Sequence, residues 1–585
     1  MLCTLFGAIF FGLLVAFPYS FQKNLIDSLA GDGVVESFTS QVYAVLRIAA
    51  LPFMIISISG LVYLIAFKNH SIAKIQDLYS WLNKFIRKSW QELVDLIQAL
   101  VPNSQERIPF IILLIIIGFA IFFRYPYMWK PMGHDETYTF MAFASRGLRV
   151  VITDYHLPNN HVFHTILVNL FYHLFGDSPA VIRLTAFIGG ILLIPATYLV
   201  GKIFYGWKIG LVAASVLAAL PVMIDYSSTA RGYTVITLFA LIIIALAAYV
   251  KDHRNLIAWF LLVVISCLGL YTNPTMIYPV GMTFTWLFLS GLIKDVNPKY
   301  SKKYYIYLVL SIVWIVILTG ILYLPIILSS GLGSIIGNDV VETLSWSEFT
   351  QSLLPRIKNT WNEWNRALPP FLSLIAIIGL AASFFLPKLP KNRRVPLILA
   401  AVLWIATALV VQRVAPWPRI WLFLLPFFVI WIAAGIIGLF DLLIKKLPKS
   451  EYLMLLLLGI LIVTPLVTAL VRTYPQYSEK LFSKGEVELV ADFLSDYLQE
   501  GDVVVVTSPD TVVLKYYLAR NNIDKEFTEL VKGKDVNRSI VVVNNAHEQT
   551  LQFVLDRRSF LDDVQLDSAE EIYRSRRFIL YQLSN

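Results

Sequence analysis

The chain has 585 residues, of which 57% are hydrophobic and only 15% are charged, whereas soluble globular proteins carry about 25% charged residues. Its net charge of +9 comes from lysines and arginines that cluster in short loops between apolar runs, which is typical of membrane topology and not of nucleic-acid binding. Composition therefore excludes a soluble globular protein and argues against a nucleic-acid partner.

The N-terminal stretch and the two cysteines predict neither a signal peptide nor a disulfide. Residues 1–18 are apolar but lack a basic n-region and a small-residue cleavage site, so we expect a retained helix. Cys3 and Cys267 both lie inside apolar runs, where the ordinary interpretation of a cysteine is a small buried thiol.

Apolar runs of about 20 residues, the length that spans a bilayer core, recur along most of the chain. They predict an all-α polytopic membrane protein with about thirteen transmembrane helices. The predicted spans cover residues 2–18, 42–66, 109–125, 179–204, 209–225, 232–250, 256–272, 275–292, 304–327, 369–386, 396–412, 420–440 and 451–471.

Lysines and arginines are concentrated in alternate connections between these spans, and such loops face the cytoplasm. The basic connections lie within residues 68–107, 251–254, 294–303, 388–394 and 445–449. The opposite, extracytoplasmic side then receives residues 124–178, 226–231, 328–368 and 413–419 and the tail from residue 472. Residues 161–175 are apolar but short and contain three histidines, so we expect a helix lying in the interface, as also for residues 137–145.

Three parts are predicted along the chain. Residues 1–108 hold two spans and an amphipathic segment, 71–100, typical of a helix on the cytoplasmic leaflet. Residues 109–471 form the transmembrane catalytic part, in which the long loop 328–368 is interpreted as a mobile cover. Residues 472–585 predict a small extracytoplasmic α/β domain. Its predicted strands are 502–507 and 539–544, and its predicted helices are 486–498, 511–519 and 547–555.

A polar loop stands out directly after the apolar run from Pro109 to Phe123. An acidic pair, Asp135 and Glu136, follows where that helix leaves the membrane. Because acidic groups near lipid are energetically costly, the pair indicates a functional site. Capping of the following helix is the alternative interpretation of the pair. The same loop concentrates further polar residues, namely His134, Asp154, His156, Asn159, Asn160 and His161.

Several motifs follow one another between residues 109 and 470. They are Asp135-Glu136, Pro158-Asn-Asn-His161, Leu174-Phe-Gly176, Ile182-Arg183-Leu184, the stretch from Tyr226 to Tyr233, Leu268-Gly-Leu-Tyr-Thr-Asn273, Pro418-Arg419 and Leu425-Pro426. Their order resembles the polyprenyl-phosphate-sugar-dependent glycosyltransferases of the GT-C membrane fold, the superfamily of the protein O-mannosyltransferases and the lipid A aminoarabinose transferase.

The resemblance implies that Asp135 is the catalytic base and that Glu136 supports it. Four cations near the outer ends of spans or in the polar loop are suited to the donor phosphate, and Arg231 is the first choice before Arg183, Arg419 and Lys130. Snorkelling to headgroups is the alternative for each of them. The residues predicted to contact the substrate are His156, Asn159, Asn160, His161, Asp225 and Tyr233.

No metal or other cofactor is predicted. His134, His161 and His164 with Asp135 are the alternative metal ligands, but their spacing is not diagnostic.

The predicted function is transfer of a monosaccharide from a polyprenyl-phosphate donor to a glycan, lipid or protein acceptor. The reaction is expected on the extracytoplasmic face of the plasma membrane, by inverting displacement. Two alternatives stay open at this point, a polytopic transporter and a non-catalytic membrane assembly protein. Transporters tend to show repeated halves and charges near the midplane of the bilayer, whereas here the halves differ and the charges lie at the ends of spans.

Overall fold

A computed structural model describes residues 2–28, 35, 38–66, 68–100, 107–336, 343–366, 368–385, 394–473, 484–523, 538–556 and 569–584. In this part of the chain, a large helical body adjoins a small four-stranded sheet formed by the C-terminal residues. The fold is therefore the predicted one, an all-α membrane protein with a C-terminal α/β region.

The helices of the body are numbered in chain order. Up to the polar loop they are α1 Leu2–Ala16, α2 Tyr19–Asp27, α3 Ser40–Ala66, α4 Lys68–Leu100 and α5 Arg107–Arg124. The next are α6 His134–Ala142, α7 Leu148–Thr153, α8 Val162–Phe175, α9 Pro179–Tyr205, α10 Trp207–Ala219, α11 Pro221–Ser227, α12 Tyr233–Asp252, α13 Leu256–Thr272 and α14 Ile277–Leu292. The last are α15 Ser301–Ser330, α16 Gly333–Ile336, α17 Trp346–Trp364, α18 Pro370–Ser383, α19 Leu397–Gln412, α20 Leu425–Ile444 and α21 Ser450–Thr468.

Every predicted span falls on a helix, but the count of thirteen crossings is not confirmed. Among the described residues, eight helices are long and apolar enough to cross a membrane, or up to ten if two bent pairs each form one span. The bent pairs are α1 with α2 and α10 with α11. Three predicted spans fall on the shorter apolar helices α13, α18 and α19. The chain is thus a multi-pass membrane protein whose exact number of crossings stays open.

Helix α8 does not cross the bundle, as its length of 14 residues predicted. Its N-terminal His161 lies beside the backbone of Gly232. After its C-terminus, Arg183 contacts the carbonyl groups of Met128 and Lys130. Both ends of α8 are therefore at the same side of the bundle as the polar loop, which places the helix along that surface.

The break between α10 and α11 is stabilised by a buried arginine. Pro221 lacks an N–H group and cannot continue the hydrogen-bonding pattern of α10. The carbonyl groups of Leu217 and Ala218 accept hydrogen bonds from Arg124 at 3.2 and 2.8 Å, and Ser227 accepts one at 3.1 Å. Arg124 is fully buried. It therefore fixes the bend that carries Asp225 and the following corner.

The opposite end of the bundle is held by a second polar cluster. The ammonium group of the fully buried Lys251 donates to the Asp295 carboxylate at 3.1 Å. Helix α4 joins this end through Glu92, whose carboxylate accepts from the backbone N–H groups of Leu256 and Ile257 at 2.8 and 3.2 Å. These N–H groups belong to the first turn of α13, so Glu92 caps a helix of the main body. The predicted amphipathic segment is thus docked onto the bundle.

The C-terminal sheet has the strand order β1-β2-β4-β3. Its strands are β1 Asp502–Val506, β2 Arg538–Asn544, β3 Glu570–Arg574 and β4 Phe578–Ser584, and its helices are α22 Glu486–Tyr497, α23 Asp510–Arg520 and α24 Leu551–Asp556. Strands β1 and β2 are parallel, and the other two pairs are antiparallel. The prediction found β1 and β2 but missed the hairpin of β3 and β4. It was also wrong about residues 547–550, which precede α24.

The described residues of the long loop 328–368 are mostly helical, and the interpretation of this loop as a mobile cover stays a prediction. Helix α15 extends to Ser330, and α17 occupies 19 residues behind a capping box formed by Ser345 and Glu348. Pro355 lies inside α17, and a proline inside a polar stretch disfavours a helix prediction. Residues 337–342 of this loop lie outside the described residues.

We predict that Arg124→Met lowers the thermal stability of the protein. The substitution leaves the Leu217 and Ala218 carbonyls without the Arg124 donor, which costs roughly 2–6 kcal/mol for two buried groups. Arg107→Met is the matched control, because Arg107 is the exposed first residue of the same helix. Unfolding followed by tryptophan fluorescence in detergent should show a lower Tm for Arg124→Met alone. Equal Tm values for the two variants would refute the assigned role.

Candidate active site

The acidic pair lies in the first turn of α6, which begins after the N-cap residue Gly133. Carboxylates are favourable there, because the unpaired N–H groups of a helix N-terminus carry partial positive charge. The capping interpretation is thus correct for Glu136, whose Oε1 accepts from the Gly133 N–H at 2.9 Å. Successive residues of a helix point in different directions, so the two carboxylates enter different surroundings.

Glu136 is buried and is fully engaged with protein groups. Besides Gly133, its oxygens accept two hydrogen bonds from Arg183 and one from the Ala230 N–H at 2.9 Å. Its exposed fraction is 1%. Burial alone would raise the pKa of Glu136, but the Arg183 guanidinium and these donors leave the pKa below its ordinary value. Glu136 is therefore ionised and holds the loop, α9 and the Ala230 corner together.

The guanidinium of Arg183 is engaged by protein groups, which argues against its predicted role as a ligand of the phosphate. It is fully buried. Its Nε donates to Glu136 at 3.0 Å, and its terminal nitrogens donate to Glu136 and to the backbone carbonyls of Met128, Lys130 and Pro131. A phosphate would have to displace these partners. Arg183 instead shapes the loop that precedes Asp135.

Asp135 is half-exposed and contacts a cation that lies 284 residues later in the chain. Its side chain is 43% exposed, and its Oδ2 lies 3.3 Å from Nη1 of Arg419. In the part of the chain that the structure describes, the Arg419 guanidinium makes this one hydrogen bond. Asp135 is thus accessible and oriented, so its carboxylate can be reached by the proton of a bound acceptor.

Arg231 is buried without a carboxylate partner among the described residues. Its exposed fraction is 4%. Its terminal nitrogens make long hydrogen bonds to the Thr139 hydroxyl at 3.2 Å and the Asn159 side chain at 3.4 Å, while its Nε has no partner in the part of the chain that the structure describes. A buried cation with such weak compensation is costly. The site therefore favours a bound anion.

Two neutral histidines, His161 and His164, lie near Arg231. The Nδ1 of His161 accepts from the Gly232 N–H at 2.8 Å, so the neutral ring carries its proton on Nε2. That nitrogen lies 3.5 Å from Nη2 of Arg231, which places two donors side by side. Burial, together with the Arg231 charge, lowers the pKa of His161 well below its ordinary value and the pKa of His164 to about 3. Both rings thus stay neutral and can donate to an anion.

A second cluster of charges borders this site. Lys130 donates to Asp225 at 2.6 Å, and Arg366 contacts the other Asp225 oxygen at 3.3 Å. Lys130 also donates to the Thr229 hydroxyl at 3.1 Å. Lys130 is therefore paired with protein groups, as is Asp225. Their predicted contacts with phosphate and substrate remain predictions.

The other predicted contact residues divide into two groups. Tyr233 packs edge-on against the His161 ring, with 5.0 Å between centroids, and Asn159 contacts Arg231. By contrast, His156 is held between Asp154 and Tyr138, and Asn160 donates to the backbone carbonyls of Val151 and Asp154 at 2.9 Å. These hydrogen bonds from the side-chain amide give Asn160 a structural role in its own loop.

The structure adds residues that the sequence did not single out for the site. Thr139 lies one turn after Asp135 and receives a hydrogen bond from Arg231, so the base and the buried cation are joined through one side chain. Residues four apart on a helix are neighbours, which is the signal that could have found Thr139. His164 was considered only as a metal ligand. Its burial, with two ring nitrogens that have no partner among the described residues, is visible only in three dimensions.

The described residues contain no group of three or more His, Cys, Asp or Glu side chains suited to a metal ion. His134 points elsewhere, since its Nδ1 lies 2.7 Å from the Pro509 carbonyl of the C-terminal region. The absence of a metal cofactor stays a prediction.

The C-terminal region packs directly on the polar loop. The Tyr517 hydroxyl accepts from the Met132 N–H at 3.0 Å, and the Tyr516 hydroxyl donates to the Asp177 carbonyl at 2.7 Å. Met132 and Phe140 share an apolar cluster with Leu514 of α23. The loop that carries Asp135 is therefore held from the side of the sheet as well as from the side of the bundle.

Comparison with known proteins identifies the fold. The model of the dolichyl-phosphate-mannose-protein mannosyltransferase family matches residues 162–323. The crystal structure of ArnT from Cupriavidus metallidurans in the apo state aligns with a TM-score of 0.51 at 13% identity, covering 80% of this chain and 97% of ArnT. The structure of ArnT bound to undecaprenyl phosphate gives a TM-score of 0.50 at 13% identity, covering 81% and 97%. No curated protein sequence matches this chain.

These likenesses confirm the GT-C fold and the resemblance predicted from the motifs. The family match also confirms the predicted enzyme class, a membrane glycosyltransferase. It covers the segment that contains Arg183 and Arg231 but begins after Asp135. The roles of the individual site residues therefore depend on the geometry described above.

We predict that Glu136→Gln destabilises the fold whereas Asp135→Asn does not. Breaking a buried ion pair by neutralising one partner costs about 3–5 kcal/mol, while Asp135 is partly exposed and makes one long contact. The two substitutions remove the same charge from adjacent residues and control for each other. Thermal unfolding should give a clearly lower Tm for Glu136→Gln only, and an equal loss in both variants would contradict the division of roles.

The stabilisation from this pair should depend on pH. Because the folded pKa of Glu136 is lowered, its contribution is present above the pKa of an unfolded glutamate, about 4.3, and is lost as the pH falls through the folded value. The difference in Tm between the wild type and Glu136→Gln should therefore be constant near neutral pH and shrink at acidic pH. A Tm difference that grows on acidification would show that the ion pair of Glu136 and Arg183 is not its source.

Proposed function

We propose that the protein transfers a monosaccharide from a polyprenyl-phosphate donor to an acceptor by inverting displacement, with Asp135 as the base. The observation that carries this proposal is the buried Arg231, which lacks a carboxylate partner among the described residues and lies beside the proton-bearing Nε2 of His161. A phosphate placed between these donors supplies the missing negative charge. The ArnT structure of the same fold is one bound to undecaprenyl phosphate.

The proposed reaction needs one base and one anion site. A hydroxyl or amino group of the acceptor attacks the anomeric carbon while its proton moves to Asp135. The bond between that carbon and the phosphate oxygen breaks, and its electron pair leaves with the polyprenyl phosphate. Arg231 and His161 stabilise this leaving group, so it requires no general acid. One carboxylate is sufficient, unlike the pair used by most glycoside hydrolases.

The arrangement of the residues supports a direct displacement. Asp135 and Thr139 are neighbours on one face of α6, with about 5–6 Å between the β-carbons of such a pair, and Arg231 donates to Thr139. Base and leaving-group site are thereby separated by about one helical turn, which leaves room for a sugar carbon between them. Arg419 contacts Asp135, and after burial and the Arg231 charge it also contributes to the lowered pKa of His161. We assign Arg419 as the second cation that stabilises the negative charge that develops on the leaving phosphate.

The remaining roles follow from the contacts. Glu136 and Arg183 are positioning residues, since Glu136 binds the Ala230 N–H directly before Arg231. Lys130 and Asp225 form the charged rim of the site. The distribution of basic loops supports an extracytoplasmic site in a plasma membrane, with a glycan, lipid or protein as acceptor. The proposed chemistry uses no metal ion, because the base and the cations described here account for each charge that forms.

We predict that Asp135→Asn abolishes transfer but leaves donor binding intact. A general base contributes roughly 10²–10⁴-fold to the rate, whereas Arg231→Gln should weaken binding of the phosphate itself. Activity is measured as release of undecaprenyl phosphate from a panel of undecaprenyl-phosphate-linked monosaccharides, with host membranes supplying acceptors. Binding is measured with undecaprenyl phosphate and the full-length protein in nanodiscs. Near-normal turnover by a well-folded Asp135→Asn enzyme would remove the central assignment.

A further inference from the structure

A pocket of about 340 Å³ lies between the polar loop and the C-terminal region. The loop contributes Pro131, Met132 and His134 to its wall. The C-terminal region contributes residues at the N-terminal ends of α22 and α23, after the end of β2 and at the start of β4. Sites for small molecules have volumes of about 300–1,000 Å³. The pocket therefore has room for a small molecule or for one unit of a longer one.

The two walls of the pocket are held together by close contacts. A β-carbon added to Gly485, directly before α22, would lie 2.7 Å from the Pro131 side chain, so only glycine permits this approach. On the other side, the Nδ1 of His134 lies 2.7 Å from the Pro509 carbonyl oxygen, which accepts its hydrogen bond. The pocket is thus formed before any ligand binds.

The deep part of the pocket combines aromatic rings with a polar pair. Tyr517 and Phe578 are 4% and 2% exposed. Asn544 and Asp510 also line the pocket and are buried, and the Asn544 amide donates to the Asp510 carboxylate at 2.7 Å. The interior therefore offers apolar surface next to hydrogen-bonding groups.

Ionisable side chains surround this interior. Arg577 and His547 are exposed, and Glu486 has a buried Oε2 without a partner among the described residues. Burial raises the pKa of Asp510 above its ordinary value, while His547, His134 and Arg577 act in the opposite direction. These groups therefore lie around one common space.

The mixture of groups selects the class of ligand. A carboxylate only accepts hydrogen bonds, a guanidinium only donates them, and amides and imidazoles can do both. An anion would be repelled by Glu486 and Asp510, and a hydrocarbon chain would leave all these groups without partners, which is costly. A sugar unit fits, because each hydroxyl both donates and accepts while the C–H faces of the ring are apolar.

The pocket adjoins the base on the side away from the anion site. His134 lines the pocket and directly precedes Asp135, so their α-carbons are about 3.8 Å apart. Thr139, which receives a hydrogen bond from Arg231, lies one turn further along α6. Pocket, base and anion site thus follow one another along this helix. A displacement needs this order, because the acceptor and the leaving group lie on opposite sides of the reacting carbon.

We infer that this pocket binds a carbohydrate unit of the acceptor, and that the acceptor is therefore a glycan or a glycolipid. The inference rests on the proposed function and selects one class among its acceptors. It also gives the C-terminal region a task, since one wall of the pocket belongs to that region and the other belongs to the loop that carries the base.

The test compares two adjacent arginines. Arg577→Ala removes a donor from the rim of the pocket, and Arg576→Ala is the matched control, because Arg576 is also exposed but does not line the pocket. His547→Ala is a second exposed lining variant. Each full-length variant in nanodiscs is applied to an array of defined oligosaccharides, printed on short linkers and as glycolipids, together with unglycosylated peptides. Transfer to the best-bound oligosaccharide then gives kcat and the KM of the acceptor.

We expect the wild type and Arg576→Ala to bind the same oligosaccharides, and Arg577→Ala to bind them roughly tenfold more weakly, the effect of losing one hydrogen bond to a charged group. His547→Ala should also weaken binding. The KM of the acceptor should rise in both lining variants, while kcat and binding of undecaprenyl phosphate stay unchanged. Binding of the glycolipid form alone would support a glycolipid acceptor.

Equal binding by Arg577→Ala and Arg576→Ala would overturn the inference, as would wild-type binding to peptides alone or to nothing on the array. The proposed function fails separately. If Asp135→Asn transfers the sugar at a normal rate, the assigned base is wrong, whereas the binding of oligosaccharides at the pocket is unaffected by that result.

Discussion

The buried ion pair of Glu136 and Arg183 is the interaction on which the active-site architecture depends. Arg183 donates hydrogen bonds to backbone carbonyls of the loop before α6, and Glu136 accepts hydrogen bonds from the N–H groups of Gly133 and Ala230. Both side chains are enclosed by protein, and a buried pair with all its donors and acceptors satisfied fixes one geometry. This geometry brings the polar loop, α9 and the Arg231 corner to one place, where Asp135 stays accessible.

The adjacent carboxylates thus divide two tasks that a single residue could not perform. A group that orders three segments must be saturated with hydrogen bonds, while a base must have a free oxygen. The same division separates the arginines. Arg183 and Arg124 donate to backbone carbonyls. Arg419 lies at the surface of the site beside Asp135. Arg231 is buried, and its Nε has no partner among the described residues. Their chemistry is identical, and their depth and partners decide what each one does.

The sequence predicted the body of the fold because apolar runs are local signals that identify helices. The polar loop after a membrane helix led in the same way to the prediction of a site, and the roles of its residues stay predictions. The number of crossings could not be predicted, since it depends on breaks such as that at Pro221 and on short helices such as α18. The β3 strand was missed because Glu570–Arg574 is largely polar and exposed. The sequence ranked Arg231 before Arg183 as a ligand of the phosphate. It could not show that Arg183 is paired with Glu136, because that partner lies 47 residues away along the chain.

The proposed glycosyl transfer needs a base and a site for the donor phosphate, and the contacts of Asp135, Thr139 and Arg231 bring the two together. The most direct test of this account is a cryo-electron microscopy structure of the full-length protein in nanodiscs with undecaprenyl phosphate. The account predicts phosphate density within hydrogen-bonding distance of Arg231 and His161, with the Asp135 carboxylate across an open space that can hold a sugar. Phosphate density remote from Arg231, or an Asp135 side chain facing away from that space, would contradict it.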